Sequence, residues 1–278
     1  SALFQIITTP VLQMEVQGNS STPMLAIVSV TFFVMLASVW QFVGLWRSSR
    51  NHINRTGRHF WARIAQILAV LGLLGVVSNT IVYGPVFREM TIIGLNMDPL
   101  DNLEFSWVDR DKDQLVLSGN IGFSGDKELQ KWIWSGSESL WLVILESTGG
   151  RETAALAMAK TIEAHSLDTY VDSECDSACT LLFTAGDRRI ASPGAIFGFH
   201  TAGIDGVAEG LLPASENDSS AYLYRRGISE NFIKRVETVP YEDMWYPTLD
   251  ELLKAKIVTH VMVGDELVSA SDYARLYQ

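Results

Sequence analysis

The stretch ECDSACTLLFTAG, residues 174–186, decides the fold and points to a function. Ser177 stands at the start of a predicted helix, shortly after the apolar strand Thr169-Tyr170-Val171. A helix start leaves backbone N–H groups without partners, so a serine there has an exposed hydroxyl beside several donors. A strand, a turn with one serine and a short apolar helix together predict an α/β fold with a reactive group at a strand-to-helix turn.

Two further motifs complement this serine. Thr148-Gly149-Gly150 lies upstream and predicts a second turn with backbone N–H groups, and Phe199-His200 lies downstream at the end of an apolar strand. Serine, histidine and two turns rich in N–H groups are the parts that an acyl-transfer enzyme needs. Two other interpretations stay open: Ser177 as a helix N-cap, and His200 as a structural histidine at a strand end.

In this order, the motifs resemble the ClpP/crotonase superfamily. LVILESTGG, residues 142–150, is similar to the strand and glycine turn of that family, and Ser177 precedes Gly186 in a pattern similar to its nucleophile helix. Gly198-Phe199-His200 stands where ClpP-type proteases carry their catalytic histidine. The resemblance covers roughly residues 114–263 and points to membrane-anchored, ClpP-like proteins with a periplasmic domain.

The resemblance implies a ClpP/crotonase-like spiral α/β domain that acts on peptides as a serine peptidase. Ser177 would be the nucleophile and His200 the general base, while the backbone N–H groups of Gly150 and Ala178 would bind the oxyanion. The orienting acid would be Asp243, with Asp250 as the alternative. No cofactor and no metal ion are implied.

One residue departs from the family pattern. Asp176 directly precedes Ser177, where ClpP has a small apolar residue, and a carboxylate there would oppose formation of the oxyanion. The sequence therefore supports a second function, a catalytically weak or inactive scaffold or accessory subunit of a membrane complex. A third hypothesis is a Ser–Lys peptidase that uses Lys234, Lys254 or Lys256, although none of these lysines lies in a recognised motif.

Two N-terminal segments are long and apolar enough to cross a bilayer. Residues 24–46 and 64–87 contain no charged side chain, and each has the length of a transmembrane helix. The linker between them, residues 47–63, holds five arginines, whereas the tail before them has no basic residue. By the positive-inside rule the linker is cytoplasmic, so the C-terminal part is predicted in the periplasm of a bacterial inner membrane.

This pattern predicts four regions. They are an N-terminal tail, 1–23; a two-helix transmembrane hairpin, 24–87; a connector, 88–113; and a ClpP-like periplasmic domain, 114–278. Residues 1–97 carry a net charge of +4 and residues 98–278 a net charge of −15, which together give the −11 of the whole chain. The acidic domain excludes nucleic acid as a partner. The expected partners are the lipid bilayer, a peptide substrate, and either further copies of the chain or other membrane proteins.

Cys175 and Cys179, the 2 cysteines of the chain, flank Ser177. A C-x₃-C pair with no further ligands nearby is unsuited to zinc, which leaves two buried thiols or a disulfide. An extracytoplasmic location favours the disulfide. Because the closed loop is short, such a bridge would mainly hold the serine turn in place.

Patterning predicts strands and helices that alternate, and hence a largely parallel sheet. The expected strands are 105–108 at the end of the connector, 114–122, 140–145, 169–171, 195–199, 257–259 and 261–263; the expected helices are 126–135, 152–165, 177–184, 216–226 and 229–236. Another short helix is expected to begin at Thr248 with a capping box. The glycine-rich segment 202–215 is either a surface loop or a lid beside His200.

Overall fold

A computed structural model of the protein describes residues 22–95, 97–136, 138–201, 203 and 218–277. These residues divide into two compact units, with the boundary between Met97 and Asp98. The first unit contains two long helices, and the second is a mixed α/β domain.

The first unit consists of α1, Thr22–Thr56, and α2, Phe60–Gly94. By length and composition, Val28–Thr56 and Phe60–Gly94 are candidate membrane spans, and large apolar side chains such as Phe33 and Trp40 are exposed along α1. This surface is compatible with a two-pass anchor in lipid. α1 continues through part of the expected linker as far as Thr56, and Gly57, at φ +66°, ends it.

The second unit is built on a seven-stranded sheet with the order β1-β2-β3-β4-β6-β8-β9. The five inner strands run parallel and the two edge strands are antiparallel, so the predicted α/β class is confirmed. The strands are β1, Glu104–Trp107; β2, Gln114–Ser118; β3, Leu142–Glu146; β4, Asp168–Val171; β6, Arg189–Ala191; β8, His260–Val263; and β9, Glu266–Ser269.

Helices connect and cover these strands, as parallel pairing requires. They are α3, Gly125–Ser135; α4, Glu152–Ala164; α5, Ala178–Thr184; α6, Asp218–Arg225; α7, Glu230–Val236; α8, Leu249–Lys254; and α9, Ala270–Tyr277. α4 shows how the core forms: Ala155, Met158, Ala159 and Ile162 lie at helical spacing and are fully buried. Their small and flexible side chains let the helix pack closely on neighbouring elements.

Several elements differ from the sequence-based expectation. β1 matches the strand expected at the end of the connector, whereas β9 and α9 were not anticipated. β6 was missed because it begins with Arg189, which is an unusual residue inside a sheet. Its guanidinium is buried and donates to the carbonyl oxygens of Lys256 at 2.7 Å and Ile257 at 2.9 Å. These hydrogen bonds satisfy the guanidinium donors and offset the free-energy cost of burying them in the core.

A second, two-stranded parallel sheet lies beside the carboxyl end of β3. It consists of β5, Glu174–Asp176, and β7, Ile196–Gly198, and an isolated bridge joins Cys175 to Ser147 directly after β3. The ends of β3, β5 and β7 therefore meet at one place, and each of them leads into a motif singled out above.

Two further predictions concern the capping box at Thr248 and the glycine-rich segment 202–215. The capping box at Thr248 is confirmed, since the Thr248 N–H donates to Glu251 Oε2 at 2.7 Å and the Glu251 N–H donates to Thr248 Oγ1 at 3.3 Å. The loop-or-lid hypothesis for residues 202–215 falls, apart from Gly203, outside the described residues.

Candidate active site

Ser177 joins β5 to α5 in a strained backbone conformation, with φ +51° and ψ −122°. Non-glycine residues with positive φ are costly and cluster at active sites, where the surrounding structure holds them in place. Here the Ser177 N–H donates to the Gly198 carbonyl at 2.8 Å. A disulfide between Cys175 and Cys179, with α-carbons 5.3 Å apart, closes the turn around the serine. The structure thus contains the expected bridge.

His200 lies against this serine: His200 Nε2 is 2.6 Å from Ser177 Oγ. The ring is partly buried, and its centroid is 5.3 Å from that of Tyr241. Burial lowers the pKa of His200, and the nearby backbone of Tyr241 and Thr201 offsets only part of that effect. Neutral imidazole therefore predominates near neutral pH, and it is the form that can accept the serine proton.

The two glycines of the upstream turn reach the same point. Gly149 has φ +106°, and a β-carbon there would lie 2.8 Å from Ser177 Cβ and 3.2 Å from the Ala178 nitrogen. Gly150 has φ +143°, and a β-carbon on it would collide with the Ile121 backbone. Neither position can accept a side chain without displacing its neighbours.

The expected oxyanion donors are unpaired within the described part of the chain. The N–H groups of Gly150 and Ala178 donate to no described residue, whereas several neighbouring backbone groups do form hydrogen bonds. The Ile121 N–H donates to the Gly149 carbonyl at 2.8 Å, and the Arg151 N–H donates to the Ile121 carbonyl at 2.7 Å. A rigid turn that directs an N–H group towards a serine is the arrangement that stabilises an oxyanion.

No hydrogen bond joins Asp243 to His200. Its side chain is exposed in a turn closed by a 3.1 Å bond from its N–H to the Pro240 carbonyl, and His200 Nδ1 is buried without a hydrogen-bond partner among the described residues. Asp250, the alternative, lies 3.7 Å from Lys254 on α8. The orienting role of Asp243 stays a prediction, and this geometry gives it no support.

Asp176, whose charge is expected to oppose formation of the oxyanion, is buried beside Ser177. Asp176 is 4% exposed, its Oδ1 atom has no described partner, and Tyr246 Oη is a long 3.5 Å from Oδ2. Burial, and then the neighbouring carboxyl group of Glu174, raise the pKa of Asp176 to about 6. The carboxylate is therefore ionised at neutral pH and neutral in mildly acidic solution.

The segment that holds Asp243 does border His200, but through contacts that were not predicted. Phe199 and Trp245 exchange backbone hydrogen bonds of 2.9 Å in both directions, and this pairing brings Tyr241 beside the histidine ring. The segment is aromatic, but no local pattern indicates its pairing with β7. Among the described residues, no group of three or more His, Cys, Asp or Glu side chains is placed to hold a metal ion.

No protein-family model matches this chain, and no curated protein matches it significantly. Its neighbours of known structure include a ClpP. That structure, a ClpP1 variant from Listeria monocytogenes, is 16% identical, covers 56% of this chain and 94% of its own, and has a TM-score of 0.45. An enoyl-CoA hydratase/isomerase from Marinobacter aquaeolei is 18% identical over 58% of this chain and 70% of its own, with a TM-score of 0.41.

A third solved structure, described only as an enzyme, is 15% identical over 55% of this chain and 96% of its own, with a TM-score of 0.43. The chain is thus a mixed α/β protein with ClpP-like and crotonase-like neighbours. At these identities and TM-scores the neighbours carry no conclusion about activity, which has to rest on the geometry of the site.

Proposed function

We propose that this protein is a membrane-anchored, periplasmic, ClpP-like serine hydrolase that cleaves peptides through Ser177. The observation that carries the proposal is the 2.6 Å contact between Ser177 Oγ and His200 Nε2. It is supported by the strained serine turn and by the N–H groups of Gly150 and Ala178, which have no acceptor among the described residues.

The reaction follows from these positions. His200 Nε2 takes the hydroxyl proton while Ser177 Oγ bonds to the carbonyl carbon, and the two backbone N–H groups hold the resulting oxyanion. The C–N bond then breaks and His200 returns the proton to the leaving amine. Water repeats the sequence on the acyl-enzyme and releases the acid.

The same geometry predicts slow turnover. In a Ser-His-Asp triad the acid holds the imidazole in the correct tautomer, and losing that contact lowers kcat about 10⁴-fold. Here His200 Nδ1 has no described acceptor, and the buried Asp176 lies next to the nucleophile. We therefore place this protein among slow or tightly regulated hydrolases.

These two features also favour the alternative, a catalytically inactive ClpP-like scaffold in a membrane complex. The scaffold hypothesis predicts an intact fold and oligomer with an unreactive Ser177. The hydrolase hypothesis predicts a serine that reacts with electrophiles even when turnover of peptides is slow, so reactivity distinguishes the two.

Fluorophosphonate labelling of the full chain in detergent tests the proposal. We expect labelling of the wild type and none of Ser177→Ala or His200→Ala, with the double variant hardly different from either single one. Ser192→Ala is the matched control, because Ser192 also follows a strand and contacts Tyr170 Oη at 2.8 Å, away from His200. An unlabelled wild type, or a labelled Ser177→Ala variant, would overturn the hydrolase proposal in favour of the scaffold.

A further inference from the structure

The residues that follow α2 make a buried ion pair with the glycine turn. Both Asp98 carboxylate oxygens accept from Arg151, Oδ1 from Nη2 at 2.8 Å and Oδ2 from Nε at 3.2 Å. The Asp98 side chain is 4% exposed and that of Arg151 is 15% exposed. The Leu100 N–H also donates to Asp98 Oδ1 at 3.1 Å. A bidentate pair of this kind fixes orientation as well as distance.

Arg151 is the residue directly after Gly150, so the ion pair acts on the oxyanion turn. Its N–H bonds to the Ile121 carbonyl, and its guanidinium lies over the Phe123 ring, 5.5 Å from the centroid. Backbone and side chain of Arg151 are therefore both anchored. The Gly150 N–H shares its peptide plane with the Gly149 carbonyl, which accepts from the Ile121 N–H at 2.8 Å. Gly150 therefore lies between two anchored peptide groups, and Arg151 holds the one on its carboxyl side.

A second route links the same connector to the same turn. Asn102 Oδ1 accepts the Asn120 N–H at 2.8 Å, and Asn120 Oδ1 in turn accepts from Thr148 Oγ1 at 2.8 Å. The connector also packs tightly on this segment, since a β-carbon on Gly122 would collide with Asp101. Two independent chains of contacts thus run from residues 98–102 to residues 148–151.

We propose that Asp98 is a positioning residue for the oxyanion site: through Arg151 it holds the Gly150 N–H in the orientation that acyl transfer needs. Only residues 95–97 separate Asp98 from the end of α2 at Gly94. The first residues of the α/β domain, 98–102, are therefore part of the framework of the active site. The effect of Asp98 on the reaction rate rests on the proposed hydrolase function, whereas its effect on the glycine turn rests on the contacts alone.

Asp98→Asn in the full chain tests this inference, because asparagine keeps the shape and one acceptor but removes the charge. We expect the maximal rate of fluorophosphonate labelling to fall about tenfold or more, with the concentration for half-maximal rate unchanged, since small displacements of catalytic donors have large kinetic effects. Amide hydrogen exchange of residues 147–152 should accelerate. Arg151→Lys, which keeps the charge and loses the fork, should give the same two changes.

Asp168→Asn is the matched control. Asp168 is a similarly buried aspartate, with a side chain 8% exposed, and it pairs with the half-exposed Arg188 at the start of β4 rather than at the carboxyl ends of the strands. Asp168→Asn, like Asp98→Asn, should lower the melting temperature, but it should change neither the labelling rate nor the hydrogen exchange of residues 147–152. Wild-type rates and exchange in both Asp98→Asn and Arg151→Lys would overturn the inference. If the wild type is not labelled, the hydrolase proposal fails, and the exchange data alone decide the role of Asp98.

Discussion

At the scale of the residue, the backbone conformation of Ser177 is fixed by its neighbours. Its positive φ is held by the Gly198 carbonyl on one side and by contact with Gly149 on the other. Strain of this kind costs about 1–3 kcal/mol and persists only where neighbouring structure enforces it. The chain therefore uses part of its folding free energy to present one hydroxyl to His200.

Asp176 gives this site a pH dependence that can be measured. Folding raises its pKa from 3.8 to about 6, so the stability that this group contributes is complete below about pH 4 and is lost as pH rises through about 6. In Asp176→Asn this loss should disappear, and the variant should be more stable than the wild type at pH 8 by about 1–2 kcal/mol. Urea unfolding at pH 4 and pH 8 measures the difference.

The same substitution should affect labelling only where the carboxylate is charged. At pH 8 the charge opposes the oxyanion, so we expect Asp176→Asn to react about tenfold faster than the wild type, and equally fast at pH 5. Asp172→Asn, on the exposed side of the preceding turn, is the control. Parallel pH profiles for wild type and Asp176→Asn would contradict this prediction.

At the scale of the element, α5 is a short helix that is fixed at both ends. The disulfide closes its first turn, and at its last turn Arg226 donates to the carbonyls of Thr184, Ala185 and Gly186 at 2.7, 3.1 and 2.7 Å. Helices of this length have little stability of their own, so such anchors decide whether they form. A cation also suits the negative end of the helix dipole.

The disulfide should matter more for reactivity than for stability. The double variant Cys175→Ala/Cys179→Ala should lose about 2 kcal/mol or less of unfolding free energy, because the loop it opens is short. Labelling of Ser177 should fall by a larger factor than this loss of stability explains. Mass spectrometry of the alkylated, unreduced and denatured wild type should find no free thiol, and two alkylated cysteines there would rule out the bridge.

At the scale of the whole molecule, charge and hydropathy set the expected topology. The arginines cluster around the break between α1 and α2, and the acidic domain follows α2. Alkaline phosphatase fused after residue 278 should be active, and green fluorescent protein fused there should be dark. A fusion within residues 57–59 should show the reverse pattern. Fluorescence of the C-terminal fusion would place the α/β domain in the cytoplasm.

Sequence alone was sufficient for features that depend on local pattern. Two uncharged apolar segments predicted the long helices, and alternating apolar strands and helices predicted the α/β class, because both follow from the spacing of side chains along the chain. Glycine pairs and a serine at a helix start likewise indicated the turns around Ser177, since these conformations depend on the residues that form them.

Only the tertiary structure decided which distant groups meet. It brought His200 to Ser177, paired Phe199 with Trp245, and joined Asp98 to Arg151, while it left Asp243 exposed in its own turn. Such contacts join segments that are far apart in sequence. They depend on the packing of the whole core and leave no periodic signal in either segment. Local patterns therefore predicted the serine turn and its disulfide, but not the pairing of Phe199 with Trp245 or of Asp98 with Arg151.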